Sequence, residues 1–192
     1  MKKEEIMQCL EEFGVLQEGH FLLSSGLHSD KYLQCAQVLQ YPEQAEKLGA
    51  ALAQKFSDQK IDLVVGPALG GVVLAHEVAR SIGCRGIFAE RKDGRMQLRR
   101  GFSIEPGSRV LIVEDVVTTG KSALEVVEVV KNESAEIVGL GSIVDRSPKD
   151  INMPVPFQAL LRVEVEIYSP GECPLCEQGL SLVKPGSRES KN

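Results

Sequence analysis

Two adjacent acids and a run of small hydroxylated residues stand together in Val110-Leu111-Ile112-Val113-Glu114-Asp115-Val116-Val117-Thr118-Thr119-Gly120-Lys121-Ser122. The four apolar residues at its start make a run of the length expected for a buried parallel strand. Beyond Ser122, Leu124, Val127 and Val130 recur at helical spacing. A strand, a turn of small residues and a helix N-terminus form an anion site, because unpaired amide N–H groups and the positive end of the helix dipole converge there. Carboxylates accept hydrogen bonds from hydroxyl groups. A ligand carrying both hydroxyls and a phosphate, such as a sugar phosphate, suits the pair. Gly120-Lys121-Ser122 also suggests a nucleotide P-loop, but that motif needs a glycine five residues before Gly120, and Asp115 stands there. The bland alternative, a polar turn and a capped helix, leaves two carboxylates at a strand end at a desolvation cost with no partner.

Three further groups offer related chemistry. Ile61 to Val65 reads as a strand, Gly66-Pro67-Ala68-Leu69-Gly70-Gly71 as a glycine-rich turn, and Val72 to Ile82 as a helix. The amides of that turn could hold a second anion. Arg85 to Ala89 reads as a strand, and after it Arg91, Lys92, Arg95, Arg99 and Arg100 place five positive charges in a stretch closed by Gly101. A charge run is ordinarily a solvated face, but at the ligand edge of a sheet a mobile cationic lid over a charged leaving group is an equal expectation. Finally, Arg146 follows the strand Ile137 to Val144. The end of a parallel strand faces the ligand crevice, and a guanidinium grips a planar carboxylate through two hydrogen bonds.

Glu114 to Ser122 resembles the phosphoribosyl pyrophosphate (PRPP) motif of type I phosphoribosyltransferases, and the chain from residue 15 to 188 is similar to bacterial orotate phosphoribosyltransferases. The resemblance implies transfer of phosphoribose from PRPP to orotate with Mg²⁺ carried mainly by PRPP rather than by protein ligands. It implies a homodimer with shared sites. It makes Glu114, Asp115 and Lys92 the catalytic candidates. It gives Val116, Val117, Thr118, Thr119, Gly120, Lys121 and Ser122 to the phosphoribose, Ala68, Leu69, Gly70 and Gly71 to the diphosphate, and Arg91, Lys92 and Arg95 to a loop reaching the neighbouring subunit. Thr118, Arg146 and Tyr32 fall to orotate, within an N-terminal segment matched at Ser25, Gly26, Ser29 and Tyr32. Three departures stand out. Ser24 replaces a lysine of the enteric type, leaving Lys31 as a nearby charge. Leu69-Gly70 replaces a Tyr-Lys pair, and the loop lacks the family's histidine. A phosphoribosyltransferase for a purine, or a PRPP-sensing regulator of the same fold, are the rival readings. Arg146 discriminates against the first, because purines carry no carboxylate.

Several elements must position these groups. Glu4 to Phe13 reads as an amphipathic cover helix, residues 21 to 34 as two short strands around a glycine turn, and Pro42 to Phe56 as a helix with proline in its first turn. Strands then alternate with helices to Val144, which predicts an α/β fold with a parallel sheet. Val155 to Tyr168 alternates as one or two strands. The expected organisation is one phosphoribosyltransferase domain over residues 1–192, with a core over 42–148 and a small hood from 1–41 and 149–192. A net charge of −5 over 192 residues argues against nucleic acid as the main partner. No apolar run is long enough for a membrane span, and the first residues lack the apolar segment of a secretion signal. Five cysteines, an odd number, suit a reducing cytoplasm. Cys9, Cys35 and Cys84 read as core residues. Cys173-Pro174-Leu175-Cys176 is a lone C-x-x-C with no second cysteine pair, so a packed turn without metal is expected. His20 and His28 are expected in solvent and His76 within a helix. The residues from Gly186 to Asn192 read as a polar tail.

Overall fold

The computed structural model describes residues 1–23, 25–147 and 152–185; Ser24 and the tail from Gly186 lie outside them. In chain order the principal elements are α1 (Lys3–Glu12), β1 (Leu16–Leu22), β2 (His28–Leu33), α2 (Ala36–Leu39), α3 (Pro42–Gln54), β3 (Leu63–Pro67), α4 (Gly70–Ile82), β4 (Arg85–Lys92), β5 (Arg95–Leu98), β6 (Arg109–Val117), α5 (Lys121–Asn132), β7 (Glu136–Asp145), β8 (Phe157–Arg162), β9 (Ile167–Tyr168) and the short α6 (Pro174–Glu177). The main sheet runs β5-β4-β3-β6-β7-β8. All its pairings are parallel except that of the edge strand β5.

The continuous apolar runs of the middle strands have a direct cause: both faces of the sheet are covered. Along β6, Leu111 and Val113 enter the core shared with α3 and α4, whereas Val110 and Ile112 enter the core beneath α5. Val64 of β3 faces the first of these and Leu63 and Val65 the second. The expected α/β architecture with a parallel sheet is thus present. β6 extends four residues beyond the apolar run, because Glu114, Val116 and Val117 continue to pair with Ser142, Val144 and Asp145 of β7. The two acids therefore belong to the strand itself.

The alternating stretch from 155 to 168 divides between two sheets. β8 closes the main sheet, while β9 pairs with β2 in a small antiparallel sheet of order β1-β2-β9. The C-terminal segment returns to the same place: Val183 N–H donates to His20 O and Leu22 N–H to Val183 O, each at 2.8 Å. His20 and His28 correct the expectation of solvated residues, being 4% and 5% exposed. The turn from Cys173 to Leu180 covers them, and the Leu180 carbonyl lies 2.8 Å from His20 Nδ1. Cys9 and Cys35 are buried, as their apolar neighbours imply, and Cys84 is half-buried.

One glycine is required by close approach. A Cβ on Gly66, at the end of β3, would stand 2.3 Å from the carbonyl oxygen of Gly71 in the first turn of α4. Backbone cannot yield as a side-chain tip does. Gly66→Ala is expected to cost about 3 kcal/mol and to lower Tm by on the order of 10 °C in a thermal melt. An unchanged Tm would refute this packing of the turn.

Candidate active site

The C-terminal ends of β3, β6 and β7 place three loops side by side, as parallel pairing demands. The turn after β6 lines a cleft of about 220 Å³ with Glu114, Val116, Val117, Thr118, Thr119, Gly120, Lys121, Ser122 and Ala123. Gly120 adopts a left-handed conformation at φ 71° as N-cap of α5. The first amides of that 12-residue helix have no carbonyl a turn earlier to bind, so the cleft offers backbone donors of the kind that bind anions.

Glu114 and Asp115 are held at the cleft in a low-dielectric setting. Glu114 is 9% exposed. Burial, reinforced by the neighbouring Asp115 charge, pushes its carboxyl up to about 9, with Arg91 partly opposing the shift. Burial likewise raises Asp115, although Val116 N–H donates to Asp115 Oδ1 at 2.9 Å and favours the charged form. Such a pair awaits positive charge or hydrogen-bond donors. The second glycine-rich turn abuts it. A Cβ on Gly70 would lie within 2.5 Å of Asp115 Oδ1, so only glycine leaves that carboxylate its position. The Ala68–Leu69 peptide is cis, and Leu69 is 87% exposed. The start of α4 thus lies against Asp115, while Glu114 lines the cleft at the start of α5.

Arg146 stands at the end of β7. Its N–H donates to Val117 O at 2.8 Å, tying it to the strand that carries the acids. Asp145 shapes the turn: its Oδ1 accepts from Ser147 N–H at 2.9 Å and from Ser147 Oγ–H at 2.7 Å. Burial pulls the Arg146 pKa down, offset by the nearby Tyr32 hydroxyl. Among the described residues, no carboxylate lies within ion-pair distance of the Arg146 guanidinium. Tyr32 itself is half-buried on β2 and packs on Phe21 with ring centroids 5.8 Å apart. Asp145 and Ser147 were not singled out in the sequence, although an Asp two residues before a Ser is a turn signal. Ser25 and Gly26 lie in the exposed turn before β2, whereas buried Ser29 Oγ–H donates to Glu166 O at 2.8 Å and serves the small sheet.

The basic stretch is a hairpin. β4 and β5 pair in antiparallel register, Lys92 opposite Arg95, and Asp93 and Gly94 turn the chain with φ of 52° and 79°. Successive residues of a strand point to opposite faces, which separates Arg91 from Lys92. Arg91 reaches its own chain's α5, with Nε 2.9 Å from Glu125 Oε2 and Nη2 3.2 Å from Ser122 Oγ. Arg91 is thereby held against the start of α5 in its own chain. Arg99 and Arg100 pair with Glu90 at 3.4 and 3.0 Å. Lys92 and Arg95 remain at the exposed tip.

The phosphoribosyl transferase domain model matches residues 34–152, the span that carries the turns after β3 and β6, the acid pair and Arg146, and the chain belongs to the phosphoribosyltransferase family. Its particular branch is that of the orotate phosphoribosyltransferases. An orotate phosphoribosyltransferase of Caldicellulosiruptor saccharolyticus is 56% identical over 191 residues, covering 100% of both chains. The Mycobacterium tuberculosis orotate phosphoribosyltransferase structure superposes with a TM-score of 0.66 at 23% identity, covering 83% of this chain and 95% of the other. The adenine phosphoribosyltransferase of Rhodothermus marinus reaches a TM-score of 0.62 at 26% identity, over 82% and 99%. The shared fold therefore serves more than one base.

Proposed function

We infer that this chain transfers the 5-phosphoribosyl group of PRPP to orotate, releasing orotidine 5′-monophosphate and pyrophosphate, the pentosyl transfer of UMP biosynthesis. The observation that carries the reading is the juxtaposition of an acid pair and amide-lined turn on β6 with a half-buried arginine on the next strand. Glu114 and Asp115 accept hydrogen bonds from the ribose hydroxyls, and their charge favours a cationic sugar ring in the transition state. The amides from Thr118 to Ser122 hold the 5′-phosphate, and those of Leu69, Gly70 and Gly71 hold the diphosphate; the Ala68 N–H, expected to share in this, instead donates to Ala89 O at 2.7 Å. Arg146 grips the orotate carboxylate and, with Thr118 and Tyr32 beside the base, turns its ring nitrogen toward the anomeric carbon.

A hard cation usually takes one or two carboxylates together with substrate phosphates, and the acid pair supplies donors of that kind. When bound together with PRPP, Mg²⁺ would supply charge neutralisation for the departing pyrophosphate, with Glu114 and Asp115 as the residues that would hold it. The free cysteines accord with a reducing, cytoplasmic setting, and among the described residues no helix is long and apolar enough to cross a membrane. The test is turnover. With PRPP and Mg²⁺ the chain is expected to consume orotate, followed by its absorbance, and to leave adenine, hypoxanthine and uracil unused. Turnover of a purine without orotate would remove the assignment.

Lys92 and Arg95 act on pyrophosphate in the neighbouring subunit of a homodimer. Among the described residues Arg91, Arg99 and Arg100 each have a carboxylate within ion-pair distance and Lys92 and Arg95 have none, which leaves these two cations for a charged group elsewhere. Lys92→Ala is expected to lower kcat by about 10²-fold, as removal of one charge-stabilising group does. Mixing it with an Arg146→Ala chain should restore turnover, because the mixed dimer contains one site with neither lesion. Failure of the mixture to exceed its components would place both residues in one chain's site.

A further inference from the structure

Four ligand-type side chains outside the active site converge at the seam between the small sheet and the C-terminal segment. His20 on β1, His28 on β2, and Cys173 and Cys176 around α6 offer one ligand atom each, all within 4.8 Å of one another. His20 Nε2 lies 3.0 Å from His28 Nδ1, 3.6 Å from Cys173 Sγ and 3.7 Å from Cys176 Sγ. Cys176 Sγ lies 3.3 Å from His28 Nδ1. Zinc–nitrogen and zinc–sulfur bonds in a tetrahedron imply edges of about 3.4 Å between nitrogens and about 3.6 Å between nitrogen and sulfur. The observed edges scatter around these values.

The surroundings fit a cation better than a hydrogen-bond cluster. The Leu180 carbonyl, 2.8 Å from His20 Nδ1, accepts the proton of that nitrogen and leaves Nε2 with a lone pair directed at the cluster. Fixing a ligand's tautomer through its other nitrogen is the usual role of an outer partner at a metal site. One lone pair accepts one good hydrogen bond, yet three polar atoms crowd around it. A shared positive ion resolves that crowding. Three of the four residues are buried and Cys176 lies at the surface, which gives the ion a way in. The C-x-x-C turn is already closed by Cys176 N–H donating to Cys173 O at 3.1 Å.

We propose that His20, His28, Cys173 and Cys176 form a structural zinc site that clips the β1–β2 hairpin to the C-terminal segment. Two nitrogens and two thiolates in a closed tetrahedron suit Zn²⁺ and leave no open position for catalysis. Two zinc–sulfur bonds form as the two thiols release their protons. The histidines escape a search for zinc-finger spacing because seven residues separate them; pairing of the two strands, not a helix, brings them together.

The full-length protein, purified under reducing conditions from zinc-supplied cells, is expected to carry one zinc per chain. X-ray absorption should report two sulfurs at about 2.3 Å and two nitrogens at about 2.0 Å. Removing the metal with a strong chelator should lower Tm by on the order of 10 °C, with recovery on adding Zn²⁺ but not Mg²⁺. Cobalt substitution should give the intense visible bands of a tetrahedral thiolate site, and Cys176→His should retain cobalt with weaker sulfur charge-transfer. Cys176→Ser combined with His28→Ala should lose the metal; should that variant fail to fold, metal content and the cobalt spectrum of the wild-type chain decide. Wild-type protein that takes up no zinc on incubation overturns the proposal. So does a Cys173–Cys176 disulfide under those reducing conditions, or zinc retained in the folded double variant.

Discussion

Arg146→Ala is expected to reduce kcat/KM for orotate by roughly 10²–10³-fold, because truncating one partner of a desolvated, hydrogen-bonded charge pair costs about 2–5 kcal/mol. The expectation rests on where the arginine sits. Its backbone is tied to β6 through Val117, and the Asp145–Ser147 hydrogen bonds fix the turn around it. Burial works against its charge, and among the described residues no carboxylate compensates it. A planar carboxylate on the ligand would. Since the phosphate turns do not depend on Arg146, PRPP affinity should change little, and the loss should appear in orotate kinetics at saturating PRPP. Arg146→Lys separates charge from geometry: lysine keeps the charge without the two-pronged grip, so it should recover only a small part of the loss. Equal damage to PRPP binding, or an alanine variant with unchanged orotate kinetics, would show that the arginine does not hold the base.

The parts of this site that were readable in the sequence are those built from contiguous residues. The apolar run, acid pair and small-residue turn from Val110 to Ser122 lie in order along one strand–turn–helix unit, so period and composition sufficed to place them. The same holds for the glycine-rich turn from Gly66 to Gly71. Hidden features depend on residues far apart in the chain. Nothing near Gly70 announces that its missing side chain makes room for Asp115, because β3 and β6 become neighbours only in the sheet. Arg91 looked like one of five equivalent charges. Strand alternation in β4 turns it toward Glu125 and leaves Lys92 on the other face. His28 follows the turn-forming Ser25-Gly26 and His20 follows Glu18-Gly19, settings that read as solvated. Their burial follows from a tail that returns some 150 residues later. Alternation from 155 to 168 was correct in period, yet period alone does not say that a chain leaves one sheet for another.

Removing the charge of the acid pair should damage function and raise stability at alkaline pH. In Glu114→Gln with Asp115→Asn, two charge-assisted hydrogen bonds to ribose hydroxyls become weaker neutral ones and the favourable field on a cationic ring is lost. At about 1.5–3 kcal/mol for each charged bond, kcat/KM for PRPP should fall on the order of 10³-fold. The stability effect has the opposite sign. Burial holds the Glu114 carboxyl at about 9, above the ordinary carboxylate value of 4.5, and raises Asp115 in the same direction. Between those limits the folded chain keeps a proton that the unfolded chain releases, so stability must fall as pH rises through that window. A neutral amide pair has no proton to lose. Thermal melts of the native chain should therefore decline from about pH 6 to about pH 9, and the double variant should decline less, gaining several degrees at the alkaline end. The same coupling predicts that PRPP binding near pH 8 releases protons, read by calorimetry in buffers of different ionisation enthalpy. A variant with unaltered PRPP affinity and an unaltered pH slope would mean that these carboxylates neither meet the sugar nor carry the strain of burial. Loss of activity with gain of stability in one variant is the combination that a merely structural pair does not produce, because structural acids stabilise the fold they belong to.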